Sequence, residues 1–376
     1  MTRAMKYCIT AALLLQMGCG GGDGVSGAPA PVDTLMLTVH ASLGAATGDS
    51  TAVFGSIADA CRDPRGNVLV LDQVARGVKV YSPEGEFIRQ MGREGGGPGE
   101  LQMPLYVTCR NDGLVMVHDP MSNAFVTYDS SGTFMGNVSL WDNGPPIQAV
   151  AVGDSGYAGI LLEFDMTGDR PLMTRSIILY DSSGEFVRVY HSDQLPVDFS
   201  DFTGVLRSMI FSFAIAGDGD GRVFYSPVSS EAYEIHGFEP GGLAFLSLER
   251  DLPRVRKTRE EMQDEEAYIE SWASRIGMQG VPIDWEPDPY RNFVRALGVD
   301  DSERIWVARG TGGEPFFDVF DMGGEHLFSA RLPLSGNSWM FHTERRGILC
   351  WDEDPPEGYQ QLHLVGYPRS GTSGGQ

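Results

Sequence analysis

Residues 92–104 read GREGGGPGELQMP, and a regular pattern of turns and apolar runs extends from them. Two tight turns follow, Asn-Asp-Gly at 111–113 and Asp-Ser-Ser-Gly at 129–132. Short apolar runs flank each turn, as in antiparallel hairpins, where Asn, Asp and Gly adopt the backbone angles that a tight turn needs. The region therefore predicts a unit of antiparallel strands joined by tight turns.

The same unit recurs along the chain in six copies. Its first turns begin near Asp63, Asn111, Asp154, Asp218, Asp301 and Glu344. A four-stranded sheet repeated roughly every 40–50 residues is typical of a propeller blade, because one such sheet cannot bury both of its faces and neighbouring blades must cover them. We therefore predict an all-β protein, a six-bladed β-propeller over residues 34–368.

The sixth copy has fewer recognisable strands than the others, whereas a spare apolar run, residues 34–40, precedes the first copy. We expect this N-terminal strand to pair with the last blade, because that pairing closes the ring and removes a free sheet edge. The same reasoning favours six blades over seven.

The glycine-rich run, the Asp-Gly turn, the Val-x-Asp end of the next strand and the Tyr-Asp-Ser-Ser-Gly turn resemble the NHL-repeat type of six-bladed propeller. The similarity is clearest over residues 52–140 and more diffuse over 145–366. It implies the fold but little about function, because such propellers include binding proteins, lyases and hydrolases. Some lyases of the group hold a zinc ion in the central channel through histidines, so the resemblance keeps a metal-dependent enzyme as an alternative.

Residues 1–18 have the pattern of a signal peptide. A basic start precedes an apolar segment over residues 8–17, which is too short to span a bilayer as a helix. Gly18-Cys19 resembles the bacterial lipobox, in which the cysteine becomes lipidated, although Gln16 stands where leucine is usual. We therefore expect lipidation at Cys19, with plain secretion as the alternative.

The predicted anchor also predicts the location of the protein. Residues 19–33 are rich in Gly, Ala and Pro and read as a flexible tether. We expect a lipoprotein of the bacterial cell envelope, on the outer membrane or facing the periplasm, that contacts the membrane through its lipid only. The polar tail, residues 369–376, is predicted to be disordered.

The formal net charge is −23, which argues against nucleic-acid binding. Once Cys19 is assigned to lipidation, Cys61, Cys109 and Cys350 remain in the exported chain, and an odd number argues against a framework of disulfides. Cys61 and Cys109 occupy nearly the same position in neighbouring repeats. They read as small buried strand residues, and a single disulfide stays open as the alternative.

A helical insertion interrupts the repeats over residues 256–280. Thr258 and Glu261 form a capping box, and the apolar residues after them recur at helical spacing over 259–276. We expect the apolar face of this helix to pack on the propeller. A partner surface or a lid over the channel is the alternative reading.

Catalytic signatures are hard to find in this sequence. A nucleophile elbow and a Walker loop are both missing, and the histidines are scattered without a His-x-His or His-x₃-His pair. We predict no cofactor, and calcium or zinc remains an alternative. The acidic run 352–354 could bind calcium through its carboxylates, but it lacks the ligand spacing of an EF-hand.

The mouth of the central channel is the predicted site, because in propellers the loops that lead into the inner strands ring one face. The candidate ligand-binding residues are Asp72, Asp119, Arg309, Trp339 and Asp352. The two first aspartates have an alternative role, since each follows a strand and could accept backbone N–H groups of a turn. Aromatic residues such as Trp339 could equally serve as packing.

These observations favour a binding or scaffold protein for an unknown ligand or partner, which could be a peptide, a glycan or an envelope protein. The alternative is a propeller lyase or hydrolase with a metal in the central channel.

Overall fold

The computed structural model describes residues 34–139, 146–168, 170–199, 202–210, 212–275, 283–310, 313–336, 338–355 and 357–368. The predicted signal peptide, Cys19, the tether and the C-terminal tail lie outside these residues. Among the described residues, helices long and apolar enough to cross a membrane are absent.

Six sheets form the blades of a propeller, and each blade contains four antiparallel strands. The N-terminal strands are β1 (Thr34–Met36) and β2 (Thr38–Leu43). Blade one contains β3 (Ile57–Arg62), β4 (Val68–Asp72), β5 (Gly77–Tyr81) and β6 (Phe87–Met91). Blade two contains β7 (Tyr106–Cys109), β8 (Val115–Asp119), β9 (Ala124–Tyr128) and β10 (Phe134–Ser139). Blade three contains β11 (Ala149–Val152), β12 (Gly156–Asp165), β13 (Leu172–Tyr180) and β14 (Phe186–Pro196).

The second half of the chain continues the same order from inner to outer strand. Blade four contains β15 (Phe213–Gly217), β16 (Val223–Pro227), β17 (Tyr233–Phe238) and β18 (Ala244–Arg250). Blade five contains β19 (Ala296–Val299), β20 (Ile305–Ala308), β21 (Phe316–Phe320) and β22 (His326–Arg331). Blade six contains β23 (Trp339–Glu344), β24 (Gly347–Asp352) and β25 (Leu362–Gly366). The inner strands contact one another in a closed ring, so the prediction of six blades is confirmed.

The N-terminal segment closes the ring, with a refinement of the predicted boundaries. Strand β2 pairs antiparallel with β25 and becomes the fourth strand of blade six. Strand β1 instead pairs parallel with β22 and adds a fifth strand to blade five. Leu37 stands between the two strands, and its buried side chain fills the apolar layer between blades five and six. The segment therefore joins the last two blades, whereas the sequence assigned all of residues 34–40 to blade six.

A repeated aspartate interaction explains why the turns recur. In each of six turns, the carboxylate Oδ1 accepts the backbone N–H groups of the residues two and four positions later. Such bonds hold the backbone in the turn and replace ladder hydrogen bonds. The aspartates are Asp63, Asp129, Asp181, Asp218, Asp300 and Asp321. The turn of blade five therefore starts at Asp300, one residue before the predicted position.

Apolar layers between neighbouring blades form the core. Leu69 and Val80 of blade one pack with Val107 and Val126 of blade two, and all four side chains are almost fully buried. Burying a side chain of this size contributes about 1.5–3 kcal/mol relative to leaving it exposed. A corresponding layer around Trp351 joins blade six back to blade one. Closure therefore buries the faces that the first and last blades would otherwise expose.

Two helices lie outside the blade pattern, α1 (Phe202–Ile210) and α2 (Arg259–Arg275). Helix α2 is the predicted insertion. Its capping box is formed, since the Thr258 N–H donates to Glu261 Oε2 at 2.8 Å and the Glu261 N–H donates to Thr258 Oγ1 at 3.2 Å. The sequence did not predict α1. Leu206 of α1 packs on Ile269 of α2, so the two helices share a small core.

Candidate ligand-binding cavity

A cavity of about 870 Å³ lies between the inner strands of the six blades. Small residues leave this space open, because Ala149, Ala151, Ala214 and Ala216 of the inner strands all line it. Gly217 is required where blades three and four approach each other, since a Cβ atom there would lie 2.1 Å from the Ala151 carbonyl oxygen. The inner strands therefore surround a chamber.

Helix α2 forms one wall of the chamber. Glu261, Asp264, Glu265 and Tyr268 line the cavity, and their spacing places them on one face of the helix. We call this end of the cavity the helix mouth. The predicted insertion therefore does contribute to the channel wall, in addition to packing on α1.

Ion pairs hold the acidic helix face in place. Arg291 donates to both carboxylate oxygens of Glu261, at 2.7 Å each. Burial opposes ionisation of this carboxyl group, but the guanidinium outweighs it and keeps the pKa of Glu261 below its usual value. Lys257 pairs with Glu265 at 2.5 Å between Nζ and Oε2, and the same carboxylate accepts the indole N–H of Trp285 at 2.9 Å. Two of the acidic side chains of this face are therefore neutralised.

Several polar atoms in the cavity wall have no hydrogen-bond partner among the described residues. His118 and Ser212 are 3% and 4% exposed, and neither the imidazole nitrogens nor the hydroxyl oxygen is bonded. Burial lowers the pKa of His118 to about 4, against a smaller opposite effect of Asp119, so this imidazole is neutral at pH 7. Thr343 Oγ1 and Trp351 Nε1 are also unbonded. Buried polar groups normally have partners, so these unpaired atoms distinguish the residues of this wall from those of an ordinary core.

An ion pair crosses the wall between blades six and one. Nε2 of His342 lies 3.1 Å from Oδ1 of Asp59, whose second oxygen accepts the Val107 N–H at 2.9 Å. Burial alone would lower the pKa of His342, but the Asp59 carboxylate raises it to about 9. The imidazole is therefore a cation at neutral pH. In the sequence His342 was only one of the scattered histidines, because nothing local connects it to Asp59.

The glutamate that follows is close to a second cation. Glu344 accepts the Arg62 backbone N–H at 2.9 Å, and the Arg62 Nε lies 3.6 Å from its other oxygen. Burial raises the pKa of Glu344 and lowers the pKa of Arg62, because both charged forms are partly removed from solvent. Together with His342 and Asp59, these groups place two basic and two acidic side chains in the wall where blades six and one meet.

A disulfide joins the cavity walls of blades one and two. Cys61 of β3 and Cys109 of β7 are bonded, with a Cα–Cα distance of 5.8 Å. The sequence favoured small buried strand residues at these positions and kept a single disulfide as the alternative, and the alternative is the arrangement found. Cys350 is a free, buried thiol, and burial raises its pKa.

The first two predicted site residues shape the loops at the mouth. Asp72 accepts the Gly55 N–H at 3.0 Å and pairs with Lys79 at 2.8 Å. Burial opposes its ionisation, but the ammonium group and the loop N–H groups lower the pKa of Asp72. Asp119 accepts the N–H groups of Gln102 at 2.6 Å and Met121 at 3.1 Å. Both carboxylates therefore have the turn-stabilising role that the sequence gave as the alternative.

The other three lie in the blades and the loops behind the cavity wall. Arg309 lies 3.5 Å from the buried carboxylate of Asp318, which Arg250 also approaches, at 3.2 Å. Trp339 is 5% exposed and belongs to the apolar layer between blades five and six. Asp352 accepts the Asp354 N–H at 3.2 Å, and burial raises its pKa.

The chain neighbours of all five predicted residues do line the cavity. They are Gln73, Pro120, Gly310, Ser338, Met340 and Glu353. The loops that the sequence selected therefore reach the cavity, although the five selected side chains are not part of its lining. Direct ligand contact by Asp72, Asp119, Arg309, Trp339 or Asp352 stays a prediction.

The described residues contain no group of three or more His, Cys, Asp and Glu side chains arranged to hold a metal ion. His118 and His342 both line the cavity, but His342 is already paired with a carboxylate.

Comparison with known proteins supports the fold. The model of the family DUF5128, described as a 6-bladed beta-propeller, matches residues 51–158. No curated protein sequence matches the chain significantly. Similar solved structures include a protein of Bacteroides fragilis thought to be exported, with 12% identity, 89% of this chain and 96% of that chain covered, and a TM-score of 0.49.

Two enzymes are also among the similar structures. A gluconolactonase of Xanthomonas campestris has 11% identity, 89% and 87% of the two chains covered, and a TM-score of 0.42. A virginiamycin B lyase of Staphylococcus aureus has 13% identity, 87% and 99% covered, and a TM-score of 0.41. Similarity at this level carries no information about activity.

Proposed function

We propose that the protein is an exported, lipid-anchored propeller that binds a ligand in its central cavity and does not catalyse a reaction on it. The observation that carries the proposal is a chamber of about 870 Å³ whose wall contains buried polar atoms without partners, those of His118 and Ser212. Ligand pockets typically occupy about 300–1,000 Å³ and combine an apolar wall with a few polar anchors.

The wall has the composition that this proposal requires. Ile147, Ile215, Leu297 and Phe341 supply apolar surface from four different blades. The unbonded groups between them can donate or accept hydrogen bonds. A ligand that is partly apolar and carries a few polar groups suits this wall, and the candidates remain a peptide, a glycan or part of an envelope protein.

Binding is favoured over catalysis by the state of the reactive groups. Nucleophilic catalysis needs a hydroxyl or thiol beside a base. The hydroxyls of Ser212 and Thr343 have no partner among the described residues, and the sulfurs of Cys61 and Cys109 are joined to each other. The alternative of a lyase or hydrolase with a channel metal is tested by metal analysis of the purified protein. A stoichiometric metal ion that is required for ligand turnover would favour the enzyme.

A cavity-filling variant tests the proposed site. Ala151 is half-buried and lines the cavity, so Ala151→Phe reduces the space, and Met135→Phe on the outer strand of blade two is the matched control. Thermal-shift measurements with peptides and oligosaccharides should find a ligand that stabilises the wild type and Met135→Phe but not Ala151→Phe. A ligand at 100 times its dissociation constant stabilises by about 2.7 kcal/mol. Equal stabilisation of a correctly folded Ala151→Phe would place binding elsewhere.

The export proposal rests on residues 1–19 alone and has its own test. Cys19→Ser should move the protein from the detergent phase to the aqueous phase of a detergent partition, because it removes the acylated residue. If the wild type already partitions into the aqueous phase, secretion without an anchor is the better description.

A further inference from the structure

The charged side chains around the helix mouth are mostly paired. Glu261 is bound by Arg291 through two hydrogen bonds, and Glu265 is bound by Lys257. These four residues all line the cavity, but their charges cancel in pairs. They hold helix α2 against the propeller and leave little charge for a ligand.

Asp264 differs from the carboxylates beside it. It lies on the same helix face as Glu261 and Glu265 and lines the cavity. Its Oδ2 atom is buried, and it has no hydrogen-bond partner among the described residues. Leaving a buried acceptor without a partner destabilises the protein, and the effect is larger for a charged group. A cationic group of a ligand would recover that free energy.

Arg295 is the corresponding cation. It precedes β19, where its N–H donates to the Ala308 carbonyl oxygen at 2.9 Å, and it lines the cavity. Its guanidinium contacts the sulfur of Met340 at 3.7 Å and forms no ion pair with a described residue. An arginine with free donors in a pocket suits a carboxylate, which its planar group can bind through two hydrogen bonds.

The neutral polar groups of the wall can bind the uncharged part of a ligand. His118 offers one donor and one acceptor when neutral, and the Ser212 hydroxyl offers both. Peptide groups carry one donor and one acceptor each, so a peptide backbone can satisfy these atoms. The apolar wall can then take its side chains.

We propose that the cavity binds a short peptide with free termini, with its ammonium group at Asp264 and its carboxylate at Arg295. This proposal rests on the proposed function, because it assumes that the cavity is a binding site. A ligand with a single charge would leave either Asp264 or Arg295 unpaired, whereas a zwitterion satisfies both. The volume of about 870 Å³ accommodates a few residues.

The test uses calorimetry and thermal shift with a defined probe, a pool of tripeptides Ala-X-Ala in which X is Ala, Val, Leu or Phe. Two blocked pools of the same peptides are also prepared. One has an acetylated N-terminus, and the other has an amidated C-terminus. The free pool should bind, and each blocked pool should bind about tenfold more weakly, because one charged contact is lost. Asp264→Asn should weaken the free pool about tenfold and leave the acetylated pool unchanged. Arg295→Gln should weaken binding of the free pool about tenfold and leave binding of the amidated pool unchanged.

Matched controls are Asp251→Asn and Arg331→Gln, which change an exposed aspartate and an arginine outside the cavity lining. Both should bind all three pools like the wild type. Asp264→Asn should also raise the melting temperature of the free protein, because it removes an unpaired carboxylate, so folding of this variant is checked at the same time.

The results separate this proposal from the proposed function. If none of the free tripeptides binds, or if blocking the termini has no effect, the peptide assignment is wrong. If a neutral oligosaccharide binds and Ala151→Phe abolishes it, the cavity is a binding site but not for a zwitterion. If Ala151→Phe affects no ligand at all, the proposed function is wrong as well.

Discussion

The imidazole of His342 lies 3.1 Å from the carboxylate of Asp59, and this contact spans the junction between the last blade and the first. The same carboxylate accepts the N–H of Val107 in blade two. One side chain of blade one therefore contacts both neighbouring blades at the cavity wall. Its partner is charged at neutral pH, so the junction responds to pH.

We expect the stability of the protein to fall between about pH 6.5 and pH 9. The pKa of His342 is raised from its ordinary value of 6.5 to about 9 in the folded state, so protonation stabilises the fold. The contribution is complete below the pKa of the unfolded chain and disappears as the pH passes the folded value, by at most about 3 kcal/mol. Melting curves of the wild type and His342→Gln from pH 6 to 10 measure it.

The difference in melting temperature between the wild type and His342→Gln should decrease as the pH rises from about 6.5 to about 9. His40→Gln, which changes an exposed histidine of β2, is the control and should follow the wild type. If the melting temperatures of all three proteins change with pH in the same way, ionisation of His342 does not contribute to stability.

The disulfide between Cys61 and Cys109 should stabilise the fold. The cysteines are 48 positions apart, and a closed loop of this length corresponds to about 4 kcal/mol in the chain-entropy description. The double variant Cys61→Ser/Cys109→Ser should therefore melt well below the wild type, and a reductant should not change its melting temperature. Cys350→Ala keeps the disulfide and should remain sensitive to reductant. If a reductant under unfolding conditions does not lower the melting temperature of the wild type, the disulfide does not stabilise the fold.

The two N-terminal strands should contribute unequally. Removing residues up to 36 deletes the fifth strand of blade five, which lies at the edge of a complete sheet. Removing residues up to 43 also deletes the fourth strand of blade six and the buried side chains of Leu37 and Leu43. We expect a small decrease in melting temperature for the first truncation and a large one for the second. Equal decreases would mean that β1 contributes as much to closure as β2.

Trp339 and Arg309 should separate packing from ligand contact. Trp339→Ala should cost about 3–5 kcal/mol, because the side chain is buried between two blades. Arg309→Gln should cost less, since Arg250 still neutralises Asp318. Unfolding and ligand affinity are measured on the same samples. A loss of affinity in Arg309→Gln without a loss of stability would support direct contact, and the reverse result would assign it to packing.

The sequence predicted what is local and repeated. The turn aspartates and the strands between them lie within a few residues of each other, so each copy of the pattern could be read independently. Helix α1 was missed because its nine residues, FTGVLRSMI, contain one glycine, which disfavours a helix, and three β-branched residues, which favour a strand. Its stability comes from packing on α2, and the sequence does not display that contact.

The site was predicted only to the level of loops. Asp72 accepts the N–H groups of Val74 and Ala75 in its own loop, whereas Gln73 lines the cavity. This choice depends on backbone geometry after the strand ends. His342 and Asp59 lie in different blades, and Asp264 lies in the inserted helix whereas Arg295 precedes β19. Their roles therefore depend on the assembled ring.

Closure by the N-terminal strand also determines how long the ring stays open while the chain is being synthesised. Ser42 of β2 and His363 of β25 contact each other at 2.8 Å, yet they are 321 positions apart in the sequence. At a synthesis rate of about 5–20 residues per second, the ribosome reaches His363 on the order of 15–60 s after it has added Ser42. Throughout that interval the ring is open and its terminal blades expose apolar faces. If the chain is exported as proposed, this delay would favour translocation before folding, because the final sheet cannot form until β25 has been made.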